Sequence, residues 1–300
     1  MANPMKVLVA YDGSECADAA MDDLRRAGLP ADAQIKVLSV AENWLPPSGL
    51  EIIEQIGRDQ EYLILARRGG IRLVSTEPGW DVRSESGVGS PATLIIEKAD
   101  EWDADLIVVG SHGRTALGKF FFGSVSQKVL SEAGRSVRVA RGRIQNHGEP
   151  DTPVRLIIGA DGSECAEAAV EAVAARKWPA GSEARIVHAT WAALQIASDH
   201  GTGPIYKWVL EEKVRAKKLI YQAADKLNAA GLRTTVVVKE VEPKRLLTAE
   251  AESWGADCIF VGARGMGRVE RFLLGSVSSA VAARAHCSVE VVRERKERQT

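Results

Sequence analysis

The sequence predicts an α/β protein made of two tandem, doubly wound, five-stranded parallel sheets. Three observations predict it: a chain long enough for two domains, sequence blocks that occur twice in one order, and short apolar runs alternating with helical patterns in each copy. The 300 residues are about twice the ~150 that serve as a soft prior for one domain. Residues 12–17 and 161–166 are the same six, Asp-Gly-Ser-Glu-Cys-Ala, offset by 161 − 12 = 149. Ala104–Gly110 is echoed by Ala256–Gly262 and Gly123–Ser126 by Gly275–Ser278, at 262 − 110 = 152 and 275 − 123 = 152. Matched blocks in one order, with three residues of drift, mark a duplicated domain. The seam falls in the polar stretch 145–153, where Pro, Gly and charge favour a linker. The expected domains are 1–145 and 152–294.

In the first copy, Lys6–Ala10 is a short apolar run closed by the turn signal Asp12-Gly13-Ser14, and so a first strand. A helix is expected from Ala17 to Ala27, a second strand over Ile35–Val40, and a longer helix between Leu50 and Leu73, with Gly69-Gly70 blurring its end. Trp80–Ser86 is a weak third strand, Pro91–Trp102 a helix and Leu106–Val109 a fourth strand. Val125–Glu132 is helical, and Val137–Val139 closes the copy as a fifth strand. The second copy repeats this from Arg155–Ile158 through Val289–Val291. Strands alternating with helices imply a parallel sheet covered on both faces, whose ligand crevice lies beyond the carboxyl ends of the strands.

Composition removes several classes. Hydrophobic residues at 45% and charged residues at 26% exclude a disordered, collagen-like or disulfide-dense chain. Lys plus Arg is 39 against 40 Asp plus Glu, a net charge of −1, which lacks the basic field of a nucleic-acid binder. No apolar stretch approaches the ~18 residues that a membrane span needs. Met1 to Met5 carry no leader pattern, so a cytoplasmic protein is expected. The four cysteines form no CxxC pair, and the expectation is that they are reduced and structural. The seven tryptophans are expected to pack, and the C-terminal Arg293-Glu294-Arg295-Lys296-Glu297-Arg298 to be a solvated tail.

The chemistry concentrates in the glycines after the fourth strand. Gly110-Ser111-His112-Gly113 is followed by nine residues and then Gly123-Ser124; Gly262-Ala263-Arg264-Gly265 is followed by nine and then Gly275-Ser276. Glycines let backbone N–H groups approach phosphate oxygens, and the second Gly-Ser pair opens a helix whose N-terminus favours anions. Ser124, Ser126, Ser276 and Ser278 either add hydroxyl donors or cap that helix. Asp12 and Asp161 either face a ligand or satisfy the backbone of their own turn. His112 has no legible partner for a catalytic set and reads as a polar rim residue; His147, His188, His200 and His286 lack metal-ligand spacing.

The pattern G-x2-G-x9-G-S after a strand, with an Asp ending the first strand, resembles the ATP-binding branch of the universal stress protein family in its tandem two-domain form. The resemblance runs from about Met5 to Val292. It implies the Rossmann-like, adenine-nucleotide alpha hydrolase-like fold, with ATP, and Mg as its candidate companion, across the strand ends of each domain. By position it assigns Asp12, Val40, Gly110, His112, Gly113, Arg114, Gly123, Ser124, Val125 and Ser126 to the first site. Asp161, Ala189, Gly262, Arg264, Gly265, Gly275, Ser276, Val277 and Ser278 form the second. The second copy lacks the hydroxyl of Ser111 and the charge of Arg114 but gains Arg264, which either pairs with phosphate or is a solvated loop charge. Both copies also carry Ser (Ser136, Ser288) where the family usually has Pro.

The best reading is a nucleotide-binding stress or signalling module without recognisable catalytic residues. The alternatives are a slow ATPase or adenylyl-transfer enzyme, and a scaffold that no longer uses nucleotide. The loop after strand one lacks the H-x-G-H and S-G-G-x-D-S patterns of the enzymes, and no G-x4-G-K-[ST] loop occurs. The partners expected are adenine nucleotide and, through pairing of the two fifth strands as a pseudo-dimer with Arg138 facing Glu290, the other half of the same chain. A homodimer of the whole chain is a further partner option; nucleic acid and membrane are not.

Overall fold

The structure, a computed structural model, describes residues 4–42, 51–112, 122–141, 152–190, 204–265 and 274–294. The chain divides into two compact units, one within Met1–Pro150 and one spanning Asp151–Arg293. The division falls inside the polar stretch picked out by its turn-forming residues.

The first unit runs β1 (Lys6–Ala10), α1 (Glu15–Leu24), β2 (Gln34–Glu42), α2 (Glu51–Thr76), β3 (Asp81–Gly89), α3 (Pro91–Glu101), β4 (Leu106–Gly110), α4 (Ser124–Glu132) and β5 (Ser136–Ala140). Its strands are parallel, in the order β3-β2-β1-β4-β5. The second unit runs β6 (Arg155–Gly159), α5 (Glu164–Ala174), β7 (Glu183–Ala189), α6 (Pro204–Ala229), β8 (Arg233–Lys239), α7 (Pro243–Trp254), β9 (Cys258–Gly262), α8 (Ser276–Arg284) and β10 (Ser288–Val292). It repeats the order as β8-β7-β6-β9-β10, again all parallel. In each unit the strand order reverses between the first and fourth strands, which places the crevice of a doubly wound sheet there.

The central strands are buried on both faces, as in Leu106–Val109 of β4 and all of β9, so they read as unbroken apolar runs. The third strand of each unit is half-exposed, which is why its sequence signal was faint. Each unit has its own core between the sheet and its first two helices: Val9, Met21, Leu24 and Leu73 in one, Ile158, Val170, Leu227 and Phe260 in the other. Tryptophans pack here. Trp178 meets Phe260 edge-on at 6.2 Å, and the Trp80 indole donates to the Pro30 carbonyl at 3.0 Å.

Three expectations need correction. The second helix runs past Leu73 to Thr76, and Gly69-Gly70 does not disturb its end. A Cβ on Gly69 would lie 3.0 Å from Met21 Cε, and one on Gly70 2.8 Å from Ser84 Oγ. These glycines are where the helix rests against α1 and β3, not a break. The first helix starts at Glu15, two residues early, because the Ser14 side chain caps it. The third strand starts at Asp81 and runs to Gly89, so Trp80 precedes it.

The charged residues of the fifth strands are buried, and each has an opposite charge within its own unit. Arg138 donates to Asp23 of α1 at 2.6 and 3.1 Å. Glu290 accepts a bidentate pair from Arg176, which follows α5.

Candidate functional site

Strand ends and helix starts converge at the switch point of each sheet. After β1 the chain turns through Gly13 at φ +75°, a left-handed conformation that glycine adopts without strain. The Ser14 N–H and hydroxyl both donate to Asp12 Oδ1, at 3.0 and 2.6 Å, and Ser14 Oγ accepts from Ala17 N–H at 3.2 Å. The second unit reproduces this with Asp161, Ser163 and Ala166 at 3.0, 2.6 and 3.2 Å. One carboxylate oxygen of each Asp therefore organises its own turn. In the second unit the other, Asp161 Oδ2, would lie 2.5 Å from a Cβ on Gly265.

The glycines ending the fourth strands have a packing reason. A Cβ on Gly110 would lie 3.1 Å from the Cys16 carbonyl oxygen, and one on Gly262 2.5 Å from the Cys165 carbonyl carbon. Only a bare backbone lets the first helix come this close. Beyond the loop, Gly123 N–H donates back to the Ser111 carbonyl at 2.9 Å and Gly275 N–H to that of Ala263 at 2.8 Å. Gly123 and Gly275 are the N-caps of α4 and α8. The Ser126 and Ser278 hydroxyls donate to the Gly110 and Gly262 carbonyls at 2.7 and 2.6 Å, tying each helix to its strand. That leaves the backbone N–H groups of Ser124, Val125 and Ser126, and of Ser276, Val277 and Ser278, without acceptors inside their helices, a geometry that favours anions.

Val40 is half-buried near the carboxyl end of β2, and Ala189 is the last residue of β7. Together with Asp12, Gly110, His112 and Gly123–Ser126, Val40 belongs to the carboxyl-terminal side of the first sheet; Ala189 joins Asp161, Gly262–Gly265 and Gly275–Ser278 in the second. Gly113 and Arg114 lie outside the described residues. His112 Nδ1 and Ser111 Oγ share a hydrogen bond of 3.0 Å. Behind them burial pushes the Cys16 thiol up, partly offset by hydrogen bonds from Ser111 and the His112 backbone. All four cysteines are free, three of them buried.

Arg293 does not belong to a solvated tail. Arg293 is half-buried directly after β10, where β9–β10 register pairs Val292 with Gly262 and Ala263 N–H donates to the Val292 carbonyl at 2.8 Å. Burial pushes its guanidinium down to about 10, and the charge of Arg264 adds to the effect. The mixed-sign tail hid it; its place one residue beyond a strand end was the available signal. Its counterpart is Arg141, as His112 is that of Arg264, both at offset 152.

The fold is a Rossmann-like, doubly wound α/β domain, present twice. The universal stress protein family matches this chain over residues 4–141 and 154–293, and the chain belongs to that family. A universal stress protein of Mycobacterium tuberculosis is 29% identical over 306 residues, covering 98% of this chain and 100% of that protein. One from Methanocaldococcus jannaschii is 28% identical over 141 residues, covering 45% of this chain and 81% of its own length. The solved structure of a universal stress protein from Archaeoglobus fulgidus superposes with a TM-score of 0.67 at 21% identity, covering 96% of this chain and 98% of that one. Among the described residues, no helix is long and apolar enough to cross a membrane.

Proposed function

We propose that each unit binds one adenine nucleotide, ATP, at its switch point, and that the chain is a nucleotide-binding module of stress response or signalling. The observation that carries this is the doubled G-x2-G-x9-G-S pattern, set in both units between a buried fourth strand and a helix start whose first N–H groups have no side-chain cap. Arg264 and Arg293 support a phosphate role for the second site, since two guanidiniums adjoin the end of β9. Asp12 and Asp161 hold the loop that faces the ribose and phosphates. Mg would enter with the triphosphate. With no recognisable catalytic set among the assigned residues, hydrolysis should be absent or far below the ~1–10³ s⁻¹ of typical enzymes.

Calorimetric titration of the full chain with ATP tests the reading, with two sites expected. Gly265→Val should remove the second alone, because the branched side chain would run into Asp161. A chain that binds no ATP overturns the proposal. Turnover of several per second, lost on Asp12→Ala, would instead establish the ATPase alternative. The pseudo-dimer through the two fifth strands remains part of the proposal, and a separately made 1–145 fragment should then self-associate.

A further inference from the structure

The second unit holds a cavity of about 240 Å³ between α5 and α6, beneath Gly162 and Ser163. Its wall is mostly apolar, with Ala160 and Val170 on one side and Leu219 and Ala223 on the other, and Glu167 and the Glu171–Lys226 ion pair border it. The first unit shows what belongs in this volume. The offset of 149 relates Ala160 to Tyr11, Val170 to Met21 and Glu167 to Asp18. Tyr11 and Met21 are buried in the core and lie against α2, where a Cβ on Gly69 would be 3.1 Å from Tyr11 Cδ1 and 3.0 Å from Met21 Cε. The Tyr11 hydroxyl donates to Asp18 Oδ1 at 2.6 Å. The second unit puts a methyl in place of that phenol and an isopropyl in place of the thioether. Ala223 returns only one methyl where Gly69 has none, taking the offset of 154 that relates Leu219 to Leu65. The carboxylate that accepts the phenol's hydrogen bond has its counterpart in Glu167.

An apolar cavity of about 150 Å³ accepts benzene, so this pocket, open at the Glu167 side, has room for a substituted ring. We propose that the second unit binds a small phenol here, its ring where Tyr11 and Met21 sit in the first unit and its hydroxyl donating to Glu167. The pocket shares the Gly162–Ser163 turn with the switch point but none of the residues assigned there to nucleotide, and the proposal does not depend on nucleotide binding.

The probe is p-cresol, the tyrosine side chain as a free molecule, titrated into the full chain by calorimetry beside toluene. One p-cresol should bind per chain. Ala160→Tyr fills the cavity from the residue after β6 and should lower p-cresol affinity at least about tenfold. Val170→Met fills it from α5 and should weaken binding in the same direction, which keeps the test open if the tyrosine variant fails to fold. Glu167→Ala should weaken p-cresol about fivefold, the worth of a hydrogen bond, and leave toluene unchanged. No p-cresol binding at millimolar concentration, or binding that neither filling variant weakens, overturns the proposal. If Glu167→Ala affects toluene and p-cresol alike, the hydroxyl contact is wrong and the phenol assignment falls with it.

Discussion

The two units keep their backbone cradles nearly identical while exchanging the side chains behind them. The Asp–Ser turn has the same three distances in both, 3.0, 2.6 and 3.2 Å. Around it, charges have traded places. The fifth strand carries Arg138 against Asp23 in the first unit and Glu290 against Arg176 in the second. On the opposite face, Lys98 of α3 meets Glu85 of β3, whereas its counterpart Glu250 of α7 meets Lys239 of β8. The third member of that cluster keeps its sign, Lys36 in one and Arg185 in the other. A buried ion pair needs opposite charges at short range, but its energy does not depend on which element carries which sign. Backbone geometry at the strand ends has no such freedom.

The largest effect should come from the buried pairs. Arg176→Met takes from Glu290 a partner it meets at 1% side-chain exposure, while Arg138→Met does the same to Asp23 at 11%. Removing one member of a buried pair costs about 3–5 kcal/mol, so the second unit should lose more than the first. Amide hydrogen exchange, which reads each unit separately, checks the order. Equal losses would mean that depth of burial does not set the difference.

Next come the fourth-strand glycines. A Cβ at Gly262 meets the Cys165 backbone at 2.5 Å, but at Gly110 the nearest atom is 3.1 Å away. Overpacking costs about 1–3 kcal/mol, so Gly262→Ala should fall at the upper end and Gly110→Ala at the lower. Urea unfolding of the two variants compares them.

Tyr11→Phe should cost the first unit about 1 kcal/mol, one hydrogen bond. Burial and the bond to Asp18 push the Tyr11 phenol from 10.0 up to about 12. A raised acid favours the folded state while protonated, so its contribution is whole below pH 10 and lost as pH rises to about 12. The wild-type advantage over Tyr11→Phe should shrink across that window in melting experiments. The second unit has Ala160 there and contributes nothing to the change.

The smallest effect concerns the charge clusters. For Glu85 and Glu250, burial alone would raise the carboxyl, but the neighbouring cations outweigh it and hold both low. Their stabilisation is present above the ordinary value of 4.5 and is lost as pH falls through the lowered one. Glu85→Gln, at 31% exposure, should cost no more than about 1 kcal/mol. Glu250→Gln, at 9%, should cost somewhat more. Melting at pH 7 and pH 3 checks both, with the variants approaching wild type in acid.

The sequence by itself determined the duplication, the alternation of strands and helices, and the places where backbone must come close to something. These are local: the turn chemistry of Asp12-Gly13-Ser14 needs no distant partner, and buried parallel strands announce themselves as apolar runs. What only the tertiary structure decided is how each close approach is used. Gly69 resembles a helix end until Tyr11 and Met21 are seen against it, and Arg293 resembles tail until the register of β10 sets it beside Arg264. Asp23 and Arg176 meet the fifth strands from 115 and 114 residues away. Ala160 is an unremarkable small residue in the chain, and becomes an opening only because α6, placed by the rest of the unit, leaves unfilled the space that Tyr11 and Met21 take up in the other copy. Contacts between segments far apart in sequence leave no periodic trace, so packing alone could reveal them.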